Sequence, residues 1–406
     1  MAKIWTTTLL LVALICMSAA AAVEARTKLY PINDQGANNS ICKTMVETQG
    51  FVCQEHQVTT QDGYILGLQR IPVGRSGKTA DKPPVLLQHG LFIDAATWLF
   101  NSPDESLAFI LADNGFDVWL ANSRGTMSSQ EHKSLSPNDP AYWEWSWDEL
   151  ASHDLPAVFK YIYGQTGQNL HYVGHSLGTL IALAVFSQHQ LLNMIRSAVL
   201  LSPIAHLQNI QSMLMKAAAQ DFLAEDLYWL GLHEFVPKGL EAAKLLNQLC
   251  KLPGIDCSNL MTAFTGPNCC VNSSKADIFL QHEPQSTSTK NMIHLAQSKS
   301  IRKQIKLLNL FSVLDEGNMN HYGQPTPPVY NMSSIPNELP LYLSYGGKDT
   351  LSDMKDVQVL LDDLKNHDKD KLVAQYIEDY AHADFVMGVN ANKVVYDPLM
   401  AFFSLH

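Results

Sequence analysis

Short apolar runs recur along this chain with helix-like stretches between them. The series then breaks off in mid-chain and later resumes. The runs fall at 85–88, 116–121, 170–173 and 198–202, then at 341–345 and 372–377. Each is apolar at successive rather than alternate positions, which suits a strand buried on both faces. Strands of that kind alternating with helices imply a mostly parallel sheet covered by helices, an α/β fold. Ahead of them, EHQVTTQDGYILGLQRIP places two β-rich runs around Asp62-Gly63, a tight-turn pair, and predicts a hairpin. The total is eight candidate strands.

The break has its own texture. Between Pro203 and about Pro340 the chain is rich in Leu, Met and Ala at helical spacing, as in NIQSMLMKAAAQDFLAEDLYWLGL. A sheet-building chain that stops and resumes has accepted an inserted subdomain, here helical. The insertion would sit above the carboxyl ends of the strands, where open α/β sheets bind ligands. The expected organisation is a signal segment at 1–25, a core at 26–202, a helical cap at 203–338 and the rest of the core at 339–406.

One junction carries chemistry. In LHYVGHSLGTLIAL, residues 170–183, a short strand hands over to an Ala-rich helix through Gly174-His175-Ser176-Leu177-Gly178. This fits G-x-S-x-G in strand–turn–helix context, the nucleophile elbow, whose glycines remove side chains that would collide with the neighbouring strand and helix. Serine is a poor nucleophile without a base, and the base needs an orienting carboxylate. On such a scaffold the partners follow in the order Ser, Asp, His, from loops after later strands. Asp349 ends LYLSYGGKD directly after the seventh candidate strand, where Gly346 and Gly347 let the loop turn. His382 lies in YAHADF just past the eighth. Asp353 and His367 are the alternatives, but both fall in a polar, helix-like stretch rather than on a strand-end loop.

Charge developing on a substrate oxygen needs preorganised N–H donors. One is expected from Leu177, the residue after the serine. The other is expected from Leu91, because His89-Gly90 in LLQHGLFIDAATW lets the backbone come close after the third strand.

The amino terminus reads MAKIWTTTLLLVALICMSAAAAVEAR. Lys3, an apolar run and small residues before Arg26 have the form of a cleaved signal, so a secreted or lumenal chain is expected, in the apoplast or a vacuole-like compartment. No other stretch approaches the length of a transmembrane span. The net charge of −11 and the lack of any Lys/Arg cluster argue against nucleic acid as a partner. Of seven cysteines, Cys16 lies in the signal. The other six, Cys42, Cys53, Cys250, Cys257, Cys269 and Cys270, form an even set suited to disulfides in an oxidising compartment. We expect Cys42 to bond Cys53. Because bonding adjacent cysteines strains the intervening peptide, Cys269 and Cys270 are expected to pair with Cys250 and Cys257. No CxxC or His pair suggests a metal. Asn38, Asn272 and Asn331 head N-x-S sequons and are expected glycosylation acceptors.

Several blocks, in order, resemble the acid lipases of the gastric and lysosomal type, in their plant branch. These are GFVCQEHQVTTQDGYILGLQRIP, LLQHGLF, SLAFILADNGFDVWLANSRG, LHYVGHSLGT, YGGKDTLSD and YAHADF. The resemblance implies an eight-stranded α/β-hydrolase core, a helical cap with a mobile lid, and hydrolysis of triacylglycerols or sterol esters without a cofactor. Carried over position by position, the triad falls on Ser176, Asp349 and His382, and the oxyanion donors on Leu91 and Leu177. The chain departs from the animal enzymes at Leu177, where they typically carry Gln, and in CKLPGIDCSNLMTAFTGPNCC, which does not follow the animal cysteine pattern.

The expected function is therefore hydrolysis of lipid esters, most simply triacylglycerols, at a lipid–water interface. Met213, Leu214, Met215, Leu223, Tyr228, Trp229 and Leu230 would offer an apolar face to acyl chains or a lipid surface. An esterase or acyltransferase for a specialised metabolite would use the same triad on a smaller ester. A noncatalytic ligand-binding protein on the same fold is the reading from a different class.

Overall fold

The computed structural model describes residues 40–212, 223–229, 231–235, 260–272, 275, 279, 282–304, 319 and 328–406. The signal segment, Asn38, Cys250, Cys257, Met213, Leu214, Met215 and Leu230 lie outside them.

All eight candidate strands form, and they share one sheet. They are β1 (Gln54–Thr59), β2 (Tyr64–Ile71), β3 (Lys82–Gln88), β4 (Phe116–Ala121), β5 (Leu170–His175), β6 (Ile195–Leu201), β7 (Leu341–Gly346) and β8 (Leu372–Ile377). The spatial order is β1-β2-β4-β3-β5-β6-β7-β8, and a two-residue strand, Glu131–His132, pairs with β2. The hairpin turns at Gly63, whose φ of 102° favours glycine. β2 runs antiparallel to β4, and every pairing from β4 to β8 is parallel.

Successive residues of the central strands feed opposite faces. Leu86, Trp119, Tyr172, Leu200 and Leu343 pack on one side with Leu155, Phe159, Leu180 and Ile181. Val85, Leu87, Val118, Val173 and Val199 pack on the other with Leu107, Phe109, Leu399 and Phe403. The helices that cover these faces include α1 (Leu107–Asp113), α2 (Leu155–Thr166), α3 (Leu177–Ser187), α4 (Met354–Asp363) and α5 (Asp397–Leu405). Every residue of α3 is buried, which fits its near-continuous apolar sequence. The expectation of burial on both faces fails at the sheet edge, where β8 exposes several residues. Arg124, wholly buried after β4, makes ion pairs at 2.6 Å with both Asp62 in the hairpin turn and Asp154 before α2.

Between β6 and β7 the described residues contain helices Leu223–Trp229, Leu260–Thr265 and Thr289–Gln304, and no strand of the main sheet. Glu234–Phe235 and Thr287–Ser288 form a small antiparallel pair of their own. Among the described residues no helix is long and apolar enough to cross a membrane.

Candidate active site

The serine of the elbow is held in a backbone conformation that serine rarely adopts. Ser176 stands between β5 and α3 with φ 54° and ψ −119°. Such strain persists only where the surroundings over-determine it. Here they do, because the two glycines leave no room for relaxation. A Cβ on Gly174 would lie 2.8 Å from the backbone of Gly178, and a Cβ on Gly178 would lie 2.7 Å from the carbonyl oxygen of Gln88 at the end of β3. The collisions with helix and strand are those the sequence implied.

The loop after β3 is pressed against this turn. A Cβ on Gly90 would stand 2.9 Å from the Cβ of Ser176. His89, which the sequence marks only by its place beside Gly90, orders the loop. The backbone N–H of Ser123 donates to Nε2 of His89 at 3.0 Å, so Nδ1 carries the ring proton and donates to the Gly90 carbonyl at 2.8 Å. Burial pushes the His89 pKa down to about 4, which keeps this neutral tautomer at ordinary pH. With the Gly90 carbonyl pinned in a trans peptide, the N–H of Leu91 points to the opposite side. Phe92 follows at φ 63° and packs against Phe235 and Phe264 of the insertion, with ring centroids 5.6 and 6.2 Å away.

Asp349 and His382 meet as expected. Nδ1 of His382 lies 2.9 Å from Oδ2 and 3.0 Å from Oδ1 of Asp349, and both side chains are buried. Oδ1 of Asp349 also accepts from the backbone N–H groups of Leu351 and Ser352, so the carboxylate is fixed from both sides. A carboxylate held this way orients an imidazole and stabilises its protonated form. Gly346 and Gly347 serve a different purpose from the turning freedom first ascribed to them, since neither has a positive φ. Their missing side chains admit the loop after β8, because Cβ atoms there would strike the carbonyl oxygens of Tyr380 and Glu378 at 2.1 and 2.4 Å.

His175, beside the serine, joins the two halves of the site. Its Nε2 donates to the His382 carbonyl oxygen at 3.0 Å, and the two rings lie 4.8 Å apart. Burial, assisted by the neighbouring His382, holds its pKa well below the usual histidine range, so it stays neutral. Nothing in the sequence marks this contact beyond the motif position. The alternatives go elsewhere: Asp353 caps α4 by accepting from the N–H of Lys355 at 2.9 Å, and His367 bonds the Leu339 carbonyl at 2.7 Å.

The chain and its fold have counterparts among known proteins. A family model described as the alpha/beta hydrolase fold matches residues 83–386, and one for a partial alpha/beta-hydrolase lipase region matches residues 42–102. Triacylglycerol lipase 2 of Arabidopsis thaliana is 52% identical over 372 residues, 90% of this chain and 88% of the relative. The chain belongs to the α/β-hydrolase lipases. The human gastric triacylglycerol lipase is a more distant relative of this lipase chain, 36% identical across 93% of the chain and 94% of the relative. A soluble variant of the Saccharomyces cerevisiae monoglyceride lipase shares its fold at a TM-score of 0.53 and 18% identity, covering 87% of this chain and 96% of that one.

In this lipase the cysteines depart from one expectation. Cys42 bonds Cys53, with Cα atoms 5.3 Å apart, as expected. Cys269 and Cys270, expected to pair with Cys250 and Cys257, are instead bonded to each other, with Cα atoms 3.7 Å apart. Ring strain was the only term weighed from sequence. The fold adds an anchor, because the buried carboxylate of Asp384 accepts the N–H of both cysteines, at 3.1 and 2.9 Å, and fixes the dipeptide. Cys269, Cys270 and Asp384 also form a group whose potential metal-ligand atoms lie within 4.8 Å of one another. The sulfurs are bonded to each other and the carboxylate is occupied by backbone donors, so the group does not fit a metal. Asn272 and Asn331 are both exposed.

Proposed function

We propose that this chain is a secreted or lumenal serine hydrolase that cleaves triacylglycerols at a lipid–water interface. The observation that carries the reading is the buried Asp349–His382 pair, which His175 ties to the turn that holds Ser176. In the proposed cycle His382 takes the hydroxyl proton of Ser176 as the oxygen attacks the ester carbonyl. The N–H groups of Leu91 and Leu177 receive the negative oxygen. His382 then delivers the proton to the departing alcohol, leaving an acyl-serine. Water, deprotonated by the same histidine, releases the fatty acid and restores the serine.

Residues 203–338 act in this reading as a helical cap above the strand ends, part of which opens as a lid. Trp229, 76% exposed on helix Leu223–Trp229, presents an apolar ring suited to a lipid surface. Residues 1–25 direct the chain into the secretory route, to the apoplast or a vacuole-like compartment. The names of the two relatives support triacylglycerol as substrate.

The test is hydrolysis of emulsified triolein, emulsified cholesteryl oleate and dissolved p-nitrophenyl butyrate, side by side. Fastest turnover of triolein supports the reading. Turnover of the butyrate ester alone marks an esterase for smaller substrates. No turnover of any ester favours a binding protein.

A further inference from the structure

Among the described residues the insertion meets the loop of His382 along a short segment, residues 265–271, and the contacts there are dense. Three consecutive backbone N–H groups around the imidazole are held. Ala381 donates to Asp384 Oδ2 at 2.8 Å, His382 to the Thr265 carbonyl at 3.2 Å, and Ala383 to Asn268 Oδ1 at 3.1 Å. Two of those acceptors belong to the insertion. The third, Asp384, is bound to it through the N–H groups of Cys269 and Cys270.

Asn268 itself is locked. Its amide donates to Thr265 Oγ1 at 2.8 Å and to the Gly266 carbonyl at 3.1 Å, which leaves Oδ1 for Ala383. Farther along, Val389 donates to the Cys270 carbonyl at 2.9 Å, and Val271 and Gly388 form an isolated β-bridge. The segment also grips the loop of Asp349. A Cβ on Gly266, at φ 97°, would lie 2.2 Å from the Lys348 carbonyl oxygen, and just ahead of the segment the Phe264 carbonyl accepts the Thr350 hydroxyl at 3.2 Å.

We propose that residues 265–271 form a fixed brace of the catalytic base, in which Asn268 and Asp384 position His382, so that any opening of the cap leaves this segment in place. The inference rests on His382 being the base. Its physical basis is that a hydrogen-bond network anchored on the buried His382 and Asp384, with Asn268 half-buried at its edge, rigidifies the elements it joins. A small misplacement of a catalytic group is costly in rate although it leaves the fold intact.

The experiment uses Asn268→Ala in the full-length protein, with Asp384→Asn as a second variant. The readouts are kcat and KM on dissolved p-nitrophenyl butyrate and the pH profile for phosphonylation of Ser176 by a fluorophosphonate ester. The brace predicts that kcat falls by about 10²-fold with KM little changed. It also predicts that phosphonylation slows in parallel with a displaced pH profile, and that circular dichroism is unaltered. An unchanged kcat and pH profile in a folded Asn268→Ala protein would overturn it. So would a loss confined to emulsified substrate, which would mean that the segment moves with the lid. His382→Ala serves as the control. If that variant labels and turns over normally, the hydrolase reading fails and the brace with it, whereas a dead His382→Ala beside a fully active Asn268→Ala removes the brace alone.

Discussion

One ring nitrogen of His382 faces both carboxylate oxygens of Asp349, at 2.9 and 3.0 Å, with the aspartate side chain sealed from solvent. Asp349→Asn keeps the shape and replaces the charge with an amide that no longer favours the working tautomer. We expect kcat to fall by about 10⁴-fold without loss of fold. Asp353→Asn is the comparison: asparagine caps a helix as well as aspartate, so the bond from the Lys355 N–H survives and only the 2.6 Å contact with Gln211 is weakened, and stability should fall by about 1 kcal/mol at most while kcat stays near wild type. Steady-state kinetics and thermal melts of the two variants check both halves.

Gly178→Ala adds one methyl where the Gln88 and His89 carbonyl oxygens stand 2.7 and 2.9 Å away. Backbone must shift, and the displaced strand end carries the Gly90–Leu91 loop. We expect activity to fall by about 10²-fold or more even in molecules that remain folded. Ala182→Gly, in the same helix but away from the strand, should change kcat little.

His171 and His89 are buried and neutral, with pKa values pushed down to about 3 and about 4 by desolvation, which at His171 is joined by the charges of Arg196 and His406. An unfolded histidine titrates near about 6.5. As pH falls below that value the unfolded chain takes up protons that the folded chain refuses. Stability from these groups is therefore complete above about 6.5 and lost as pH drops through the folded values. Replacing His171 by Phe removes one such group. The stability of wild type relative to His171→Phe should decline by about 4 kcal/mol between pH 6.5 and pH 3, as read from denaturant midpoints across pH. A difference that stays constant with pH would contradict the account.

Trp229 is 76% exposed, whereas Tyr228 beside it is anchored through its hydroxyl to Glu144 at 2.9 Å. Trp229→Ser should thus lower hydrolysis of emulsified triolein several-fold more than hydrolysis of dissolved butyrate ester, because the ring contributes at the lipid surface rather than to packing. Equal losses on both substrates would show that the residue supports the cap.

Much of this is legible in the sequence. The parallel strands announce themselves as apolar runs because burial on both faces leaves no alternation. Ser176, Asp349 and His382 stand at strand ends, where position along the chain marks them as candidates, and the structure brings Asp349 and His382 together. The hairpin was readable from Asp62-Gly63. What escaped notice are single polar residues whose partners lie far away in sequence. His175 reaches the His382 carbonyl across 207 positions, and Asp384 reaches Cys269 across 115. No periodicity marks such contacts. The same blindness produced the wrong cysteine pairing, since the carboxylate that fixes Cys269 and Cys270 is invisible to a reading of local ring strain.

The most direct test of the central claim is where a covalent probe lands. The purified protein would be treated with a fluorophosphonate ester, digested, and mapped by mass spectrometry while residual triolein hydrolysis is followed. The account predicts one adduct per chain, on the peptide LHYVGHSLGT at Ser176, with activity lost in proportion to labelling and no adduct in Ser176→Ala. An adduct on a different residue, or full triolein hydrolysis after Ser176 is labelled, would contradict it.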